Sequence, residues 1–106
     1  MIFALLFFVF IACAFAVTPA LAEKPILTIY TYDSFTSDWG PGPAIEANFE
    51  EVCKCDVQFI GLDSSIGILG RIQLEGDNSK ADIALGLDTN LMHLAKQTGY
   101  FAELPT

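Results

Sequence analysis

Ile26-Leu27-Thr28-Ile29-Tyr30-Thr31-Tyr32 is the stretch that decides the fold. It is rich in β-branched and aromatic residues, which favour a pleated strand. Apolar residues fall on both parities, so both faces of the strand are expected to be buried, as in a parallel sheet. Downstream, Asp33 to Gly40 reads as a polar loop, and Gly40-Pro41-Gly42-Pro43 punctuates the chain. Pro43 suits the first turn of a helix. Ile45, Phe49, Val52 and Cys53 follow at helical spacing and predict its buried face, with Glu46, Glu50 and Glu51 left for solvent.

The same alternation repeats twice. Val57-Gln58-Phe59-Ile60-Gly61-Leu62 predicts a second strand, and Asp63-Ser64-Ser65 ends it. Ser64 or Ser65 is a good N-cap for a helix whose Ile68, Leu69 and Ile72 share one face. Glu75-Gly76-Asp77-Asn78 stops that helix. Ala81 to Leu87 predicts a third strand, and Asp88 is expected to cap a third helix carrying Leu91, Leu94, Ala95 and Thr98 on one face. Gly99 marks its end. The expected class is therefore α/β, a parallel sheet with flanking helices. Ligands of such sheets bind at the carboxyl ends of the strands. Those ends are Tyr32-Asp33-Ser34, Asp63-Ser64-Ser65 and Asp88-Thr89-Asn90.

Charge divides the chain sharply. All 13 acidic and 5 basic residues of the 106 lie after Ala22, so the net charge of −8 belongs to residues 23–106. No Lys/Arg cluster is available to neutralise phosphates, which excludes a nucleic-acid binder. The uncharged run to Val17, followed by Ala20-Leu21-Ala22, reads as a signal peptide over residues 1–22, cleaved before Glu23. A basic n-region is missing, and an uncleaved membrane anchor is the alternative. A lipoprotein site at Cys13 fits less well, because Cys13 lies inside the apolar run.

Chemistry-bearing patterns are few. No catalytic set is visible, and His93, the single histidine, reads as a helical surface residue. Cys53-Lys54-Cys55 cannot complete a tetrahedral zinc site with so few other ligands, so no metal is expected. In an oxidising compartment the pair is expected to form a short, strained disulfide closing the end of the preceding helix, with two free thiols as the alternative. Tyr30, Tyr32, Phe35 and Trp39 lie near Asp33 and Asp38. Rings beside carboxylates suit a flat, cationic or heteroaromatic ligand. Tyr30 is expected in the core, and Tyr32 and Trp39 either meet a ligand or simply pack.

Lys24 to Phe35, then Asp38-Trp39-Gly40-Pro41-Gly42-Pro43, resemble the start of the mature thiamine-binding periplasmic proteins, the substrate-binding components of thiamine ABC transporters. The likeness continues through Phe49-Glu50, Cys53-Lys54-Cys55, Arg71, Glu75 to Asp82, and Leu85 to Leu91. The resemblance implies a two-lobed binding protein that captures thiamine and its phosphates in the periplasm for a membrane permease. It implies a monomer when full length, not an enzyme, with no cofactor apart from the transported ligand. Residues 23–106 would be the first part of the N-terminal lobe, a truncated chain. The ligand-binding positions implied by fold and resemblance are Ser64, Ser65, Tyr32, Asp33 and Trp39. Relatives often carry Asp-Gly where Ser64-Ser65 stands. Alternatives are a binding protein for another solute on the same fold, such as iron or a polyamine, a thiamine-degrading relative, and a membrane-anchored stub.

Overall fold

The computed structural model describes residues 16–105. The apolar segment 1–15, including Cys13 and most of the expected signal peptide, lies outside the described residues. Residues 16–25 form no regular element and are exposed.

Strand β1 spans Ile26–Tyr32, and the following polar stretch opens with a short helix, α1, Asp33–Thr36. This corrects the expected loop. The hydroxyls of Thr36 and Ser37 both bond the Asp33 carbonyl, which holds a single turn closed. Helix α2 covers Gly42–Cys53, strand β2 Asp56–Leu62 and helix α3 Ser65–Glu75. A 3-10 turn at Gly76–Asn78 ends α3 where a stop was expected. Strand β3 is Ile83–Ala84, and a 3-10 turn at Thr89–Leu91 precedes helix α4, Met92–Thr98.

The sheet has the order β2-β1-β3, and both pairings are parallel. Seven register pairs join β1 to β2, from Ile26↔Asp56 to Tyr32↔Leu62, but only Ile29↔Ile83 and Tyr30↔Ala84 join β1 to β3. The third strand is therefore much shorter than Ala81–Leu87. The amides of Asp82 and Leu85 still bond the carbonyls of Thr28 and Tyr30, and Gly86 then leaves the extended region at φ +103°. Asp88 does not cap α4 directly. The 3-10 turn intervenes, and the Asp88 side chain makes no cap bond. Gly99 ends α4 in the left-handed conformation as expected.

Side chains alternate across the sheet, so β1 feeds two clusters. On one face Tyr30, Ile68 and Ile72 are buried together, with Tyr32, Ile60, Leu62, Ala84 and Leu87 against them, and α3 is the cover. On the other face Ile29, Cys55 and Val57 are buried with Leu27, Cys53 and Phe59. The Phe35 ring meets the Phe59 ring edge-on at 5.5 Å, so α1 helps to close this side.

Helix α2 departs from its expected orientation. Ile45, Phe49 and Val52 are exposed, whereas Glu50 is partly buried and its Oε1 accepts from the Val57 amide at 2.9 Å. The outer edge of β2 leaves amides without a ladder partner, and such a group needs an acceptor once it is covered. A glutamate reaching from the helix supplies it, and the helix rolls its apolar stripe outward to do so. Cys53 and Cys55 are joined by a disulfide across Lys54, which adopts φ +54° and caps α2 through its amide to the Glu50 carbonyl. This agrees with the expected oxidised pair.

Candidate functional site

The carboxyl ends of the strands bring three loops to one edge: Tyr32–Asp33 after β1, Asp63–Ser65 after β2, and Gly86–Asp88 after β3. Each position follows from the strand that carries it. Ser64 is the N-cap of α3, and its Oγ accepts from the Gly67 amide at 3.0 Å. Its hydroxyl also donates to Asp63 Oδ1 at 3.2 Å. The amides of Ser65 and Ile66 precede the first intrahelical bond of α3, so they remain donors at the positive end of an 11-residue helix. Asp33, Asp63 and Asp88 are exposed along the same edge, which gives it negative charge.

Two of the expected binding residues tie the loops together instead of facing outward. Ser65 is buried, at 7% exposure, and its Oγ accepts from the Asp88 amide at 2.8 Å. The Tyr32 hydroxyl donates to the Gly86 carbonyl at 2.6 Å, and its ring fills the space where a side chain at Gly86 would stand. These bonds join the ends of β1 and α3 to the loop after β3. Asp33 lies over Gly61, at the end of β2. Trp39 is 80% exposed and stands apart from both buried clusters. Thus Ser64, Ser65, Tyr32 and Asp33 come to one edge, with Ser65 and Tyr32 committed to internal bonds.

Gly86 was not among the expected site residues, and Asp88, expected at the end of the third strand, takes part through its backbone amide. The only sequence signal for Gly86 is its place between an apolar run and an aspartate. His93 is exposed on α4, and its Nε2 lies 3.1 Å from Gln97 Nε2. Two open concavities lie away from the carboxyl edge. One is lined by Glu23, Lys24, Ile26, Glu50 and Asp56 at the amino ends of the strands, and the other runs beside β2 from Thr36 to Ile60. The edge itself is a wall and not an enclosed pocket, and enclosure is what small-ligand affinity requires.

A polar group at the opposite end of the sheet explains Arg71 and Glu75. The Tyr30 hydroxyl donates to Glu75 Oε2 at 2.8 Å, and Arg71 Nε meets Glu75 Oε1 at 2.6 Å. The Arg71 guanidinium also lies 4.8 Å from the Tyr30 ring centre. Their i, i+4 spacing on α3 was the available sequence signal. Bonds from Arg71 and then Tyr30 hold the Glu75 carboxyl below its ordinary 4.5. Burial, followed by the bond to Glu75, pushes the Tyr30 phenol up. A carboxyl lowered on folding contributes stability above its unfolded pKa and loses it as pH falls through the folded value. Glu75→Gln is therefore expected to lower the melting temperature at pH 7, with the difference from the parent shrinking below about pH 4.5. Melts at pH 7 and pH 3 check this, and an equal difference at both would remove the charge from the account.

Among the described residues no group of three His, Cys, Asp or Glu side chains is placed to hold a metal ion, and no helix is long and apolar enough to cross a membrane.

No protein-family model matches the chain. The chain is 53% identical over 85 residues to a thiamine-binding periplasmic protein of Salmonella typhimurium, which covers 80% of this chain and 26% of that protein. It is 49% identical over 86 residues to the protein of the same name from Escherichia coli K12, covering 81% of this chain and 26% of the relative. The Haemophilus influenzae protein of that name is 43% identical over 94 residues, covering 87% and 28%. A solved structure of a periplasmic thiamin binding protein superposes with a TM-score of 0.72 at 51% identity, over 76% of this chain and 25% of that one. The chain thus spans about a quarter of the length of these relatives. In sequence and in fold alike, the parallel sheet and flanking helices described above match one quarter of a thiamine-binding periplasmic protein.

Proposed function

We propose that residues 23–106 are part of the N-terminal lobe of a periplasmic solute-binding protein that captures thiamine and its phosphates for uptake through a membrane permease. One observation carries this reading: sequence and fold agree on the same relatives, at 51% identity and a TM-score of 0.72. The site geometry is compatible with it. Donor amides at the start of α3 suit a phosphate or a pyrimidine edge, and the carboxylates of Asp33, Asp63 and Asp88 suit a cationic ring. Binding of this kind requires no catalytic group, cofactor or metal, and a full-length protein of this type works as a monomer. Residues 1–22 act as the export signal, so N-terminal sequencing of the mature protein should begin at Glu23. A mature protein that retains Met1 in the membrane fraction would support the anchor.

In this reading Ser64 and the free amides of Ser65 and Ile66 form one wall, Asp33 and Trp39 contribute from the β1 side, and the Ser65 and Tyr32 side chains hold that wall together through the Asp88 amide and the Gly86 carbonyl. A single wall buries too little of a small ligand. Residues 23–106 alone are therefore expected to bind thiamine weakly or not at all. When they are fused to the remaining three quarters of the Salmonella relative, clear binding is expected. In that fusion Ser64→Leu with Ser65→Leu should weaken binding by about 1–3 kcal/mol, the cost of leaving buried polar groups unpaired. His93→Ala should leave affinity unchanged. Calorimetric titration with thiamine and with thiamine pyrophosphate is the measurement, and circular dichroism confirms that each variant is folded. Unaltered affinity in the double serine variant, together with loss in the His93 variant, would place the site elsewhere.

A further inference from the structure

The turn between α2 and β2 has a conformation that its own residues do not favour. Lys54 lies in the left-handed region at φ 54° and ψ 34°, and among the described residues it is the one non-glycine residue with a positive φ. Glycine usually ends a helix in this way, because the Cβ of an L-residue is crowded there. Gly99 does so at the end of α4. At Lys54 a covalent bond takes the place of glycine's freedom. The disulfide joins the residues on either side, whose Cα atoms are 5.1 Å apart. Several contacts depend on this turn. The Lys54 amide bonds the Glu50 carbonyl, and Glu50 Oε1 accepts from the Val57 amide. The Cys55 amide donates to Cys53 Sγ at 3.2 Å. Cys55 is itself buried with Ile29 and Val57, so the turn also anchors the cluster on that face of the sheet.

We infer that the Cys53–Cys55 pair is a redox latch: its disulfide holds Lys54 left-handed and so seats α2 on the edge of β2, and its reduction releases α2. The pair is placed for thiol–disulfide exchange, because Cys53 is partly exposed beside the exposed Lys54, while Cys55 is buried. Closure is a two-electron step. The Cys53 thiolate attacks a disulfide RS–SR and expels one RS⁻, and the Cys55 thiolate then attacks the Cys53 sulfur and expels the second. The two thiol protons end on the two RSH formed, so RS–SR is reduced as the latch is oxidised. The proposed export decides only where this happens. The compartment of synthesis keeps thiols reduced, and the compartment outside it is oxidising. The precursor therefore carries α2 loose, as threading through a membrane requires, and the exported chain is locked. Residues 23–106 contain no cysteine other than Cys53 and Cys55, so no wrong pairing within one chain competes.

The test is amide hydrogen exchange, read by peptide mass, on the exported chain before and after reduction with a phosphine. Reduction is expected to speed exchange over residues 46–58 by about tenfold or more. Cys53→Ala with Cys55→Ala should show the same fast exchange and be indifferent to the phosphine. If that variant does not fold, reduction of the parent still gives the comparison, because it replaces no side chain. Lys54→Gly is the decisive variant. Glycine takes the left-handed turn unaided, so the ratio of reduced to oxidised exchange should fall by about threefold or more. Faster exchange over the whole chain on reduction supports the latch as well, provided that Lys54→Gly reverses it. Three results would overturn the proposal: two free thiols in the denatured exported chain, equal exchange in the two redox forms, or the same ratio in Lys54→Gly as in the parent. None of these readouts involves thiamine. A chain that fails to bind thiamine leaves the latch standing, and a failed latch leaves the proposed ligand standing.

Discussion

Ile68→Ala is expected to shift the urea midpoint of residues 23–106 to a small fraction of the parent value, or to abolish the cooperative transition. Ile68 is 0% exposed and lies in the cluster with Tyr30 and Ile72, where α3 meets the sheet. Truncation of a buried isoleucine to alanine costs about 2–5 kcal/mol, from lost transfer energy and the cavity left behind. A domain of this size has about 4–13 kcal/mol in total, at roughly 0.05–0.15 kcal/mol per residue. Its half-open second face places it toward the lower end. Leu74→Ala on the same helix is the contrast, since Leu74 is 88% exposed and should change stability by less than about 0.5 kcal/mol. Equal losses at the two positions would mean that α3 does not dock through the face described.

Gly86→Ala is expected to cost about 2–6 kcal/mol, the sum of two separate effects. At φ +103° an L-residue is strained by about 1–3 kcal/mol. The new Cβ would also overlap the Tyr32 ring, and overpacking adds about 1–3 kcal/mol. The ring cannot simply step aside, because its hydroxyl is held by the Gly86 carbonyl. Gly70→Ala is the control. It lies inside α3 with nothing within 4 Å of a new Cβ, so it should stabilise the chain by about 0.5–1 kcal/mol. Tyr32→Phe in the Gly86→Ala background separates the terms: it frees the ring and should recover part of the packing cost only. Denaturant melts of the four chains measure this. A Gly86→Ala variant as stable as the parent would mean that the loop after β3 is not tied to Tyr32.

These two positions differ in how much of them the sequence discloses. Ile68, Leu69 and Ile72 recur at helical spacing after a serine N-cap, and the structure buries all three. The β1 and β2 segments are equally legible, because a run apolar on both parities has one stable environment, the interior of a parallel sheet. The shared motifs of residues 24–91 likewise pointed to the relatives that the sequence and fold comparisons found. Periodicity is a local property of the chain, and these elements need nothing more.

The orientation of α2 was not legible. Its apolar stripe predicted a buried Ile45, Phe49 and Val52, and the structure turns these outward so that Glu50 can meet the Val57 amide. That choice depends on which strand edge lies beside the helix, a fact absent from the helix itself. The length of β3 was hidden for a similar reason. Its apolar run extends to Leu87, but the ladder ends at Ala84 and Gly86 turns away to meet Tyr32. At the carboxyl edge the sequence by itself determined which polar residues arrive there, because strand order and direction bring Tyr32, Asp33, Ser64 and Ser65 together. Only the tertiary structure decided which of them are already occupied. Ser65 and Tyr32 bond the Asp88 amide and the Gly86 carbonyl across 23 and 54 residues of chain, since a buried polar group bonds to whatever the fold brings within reach.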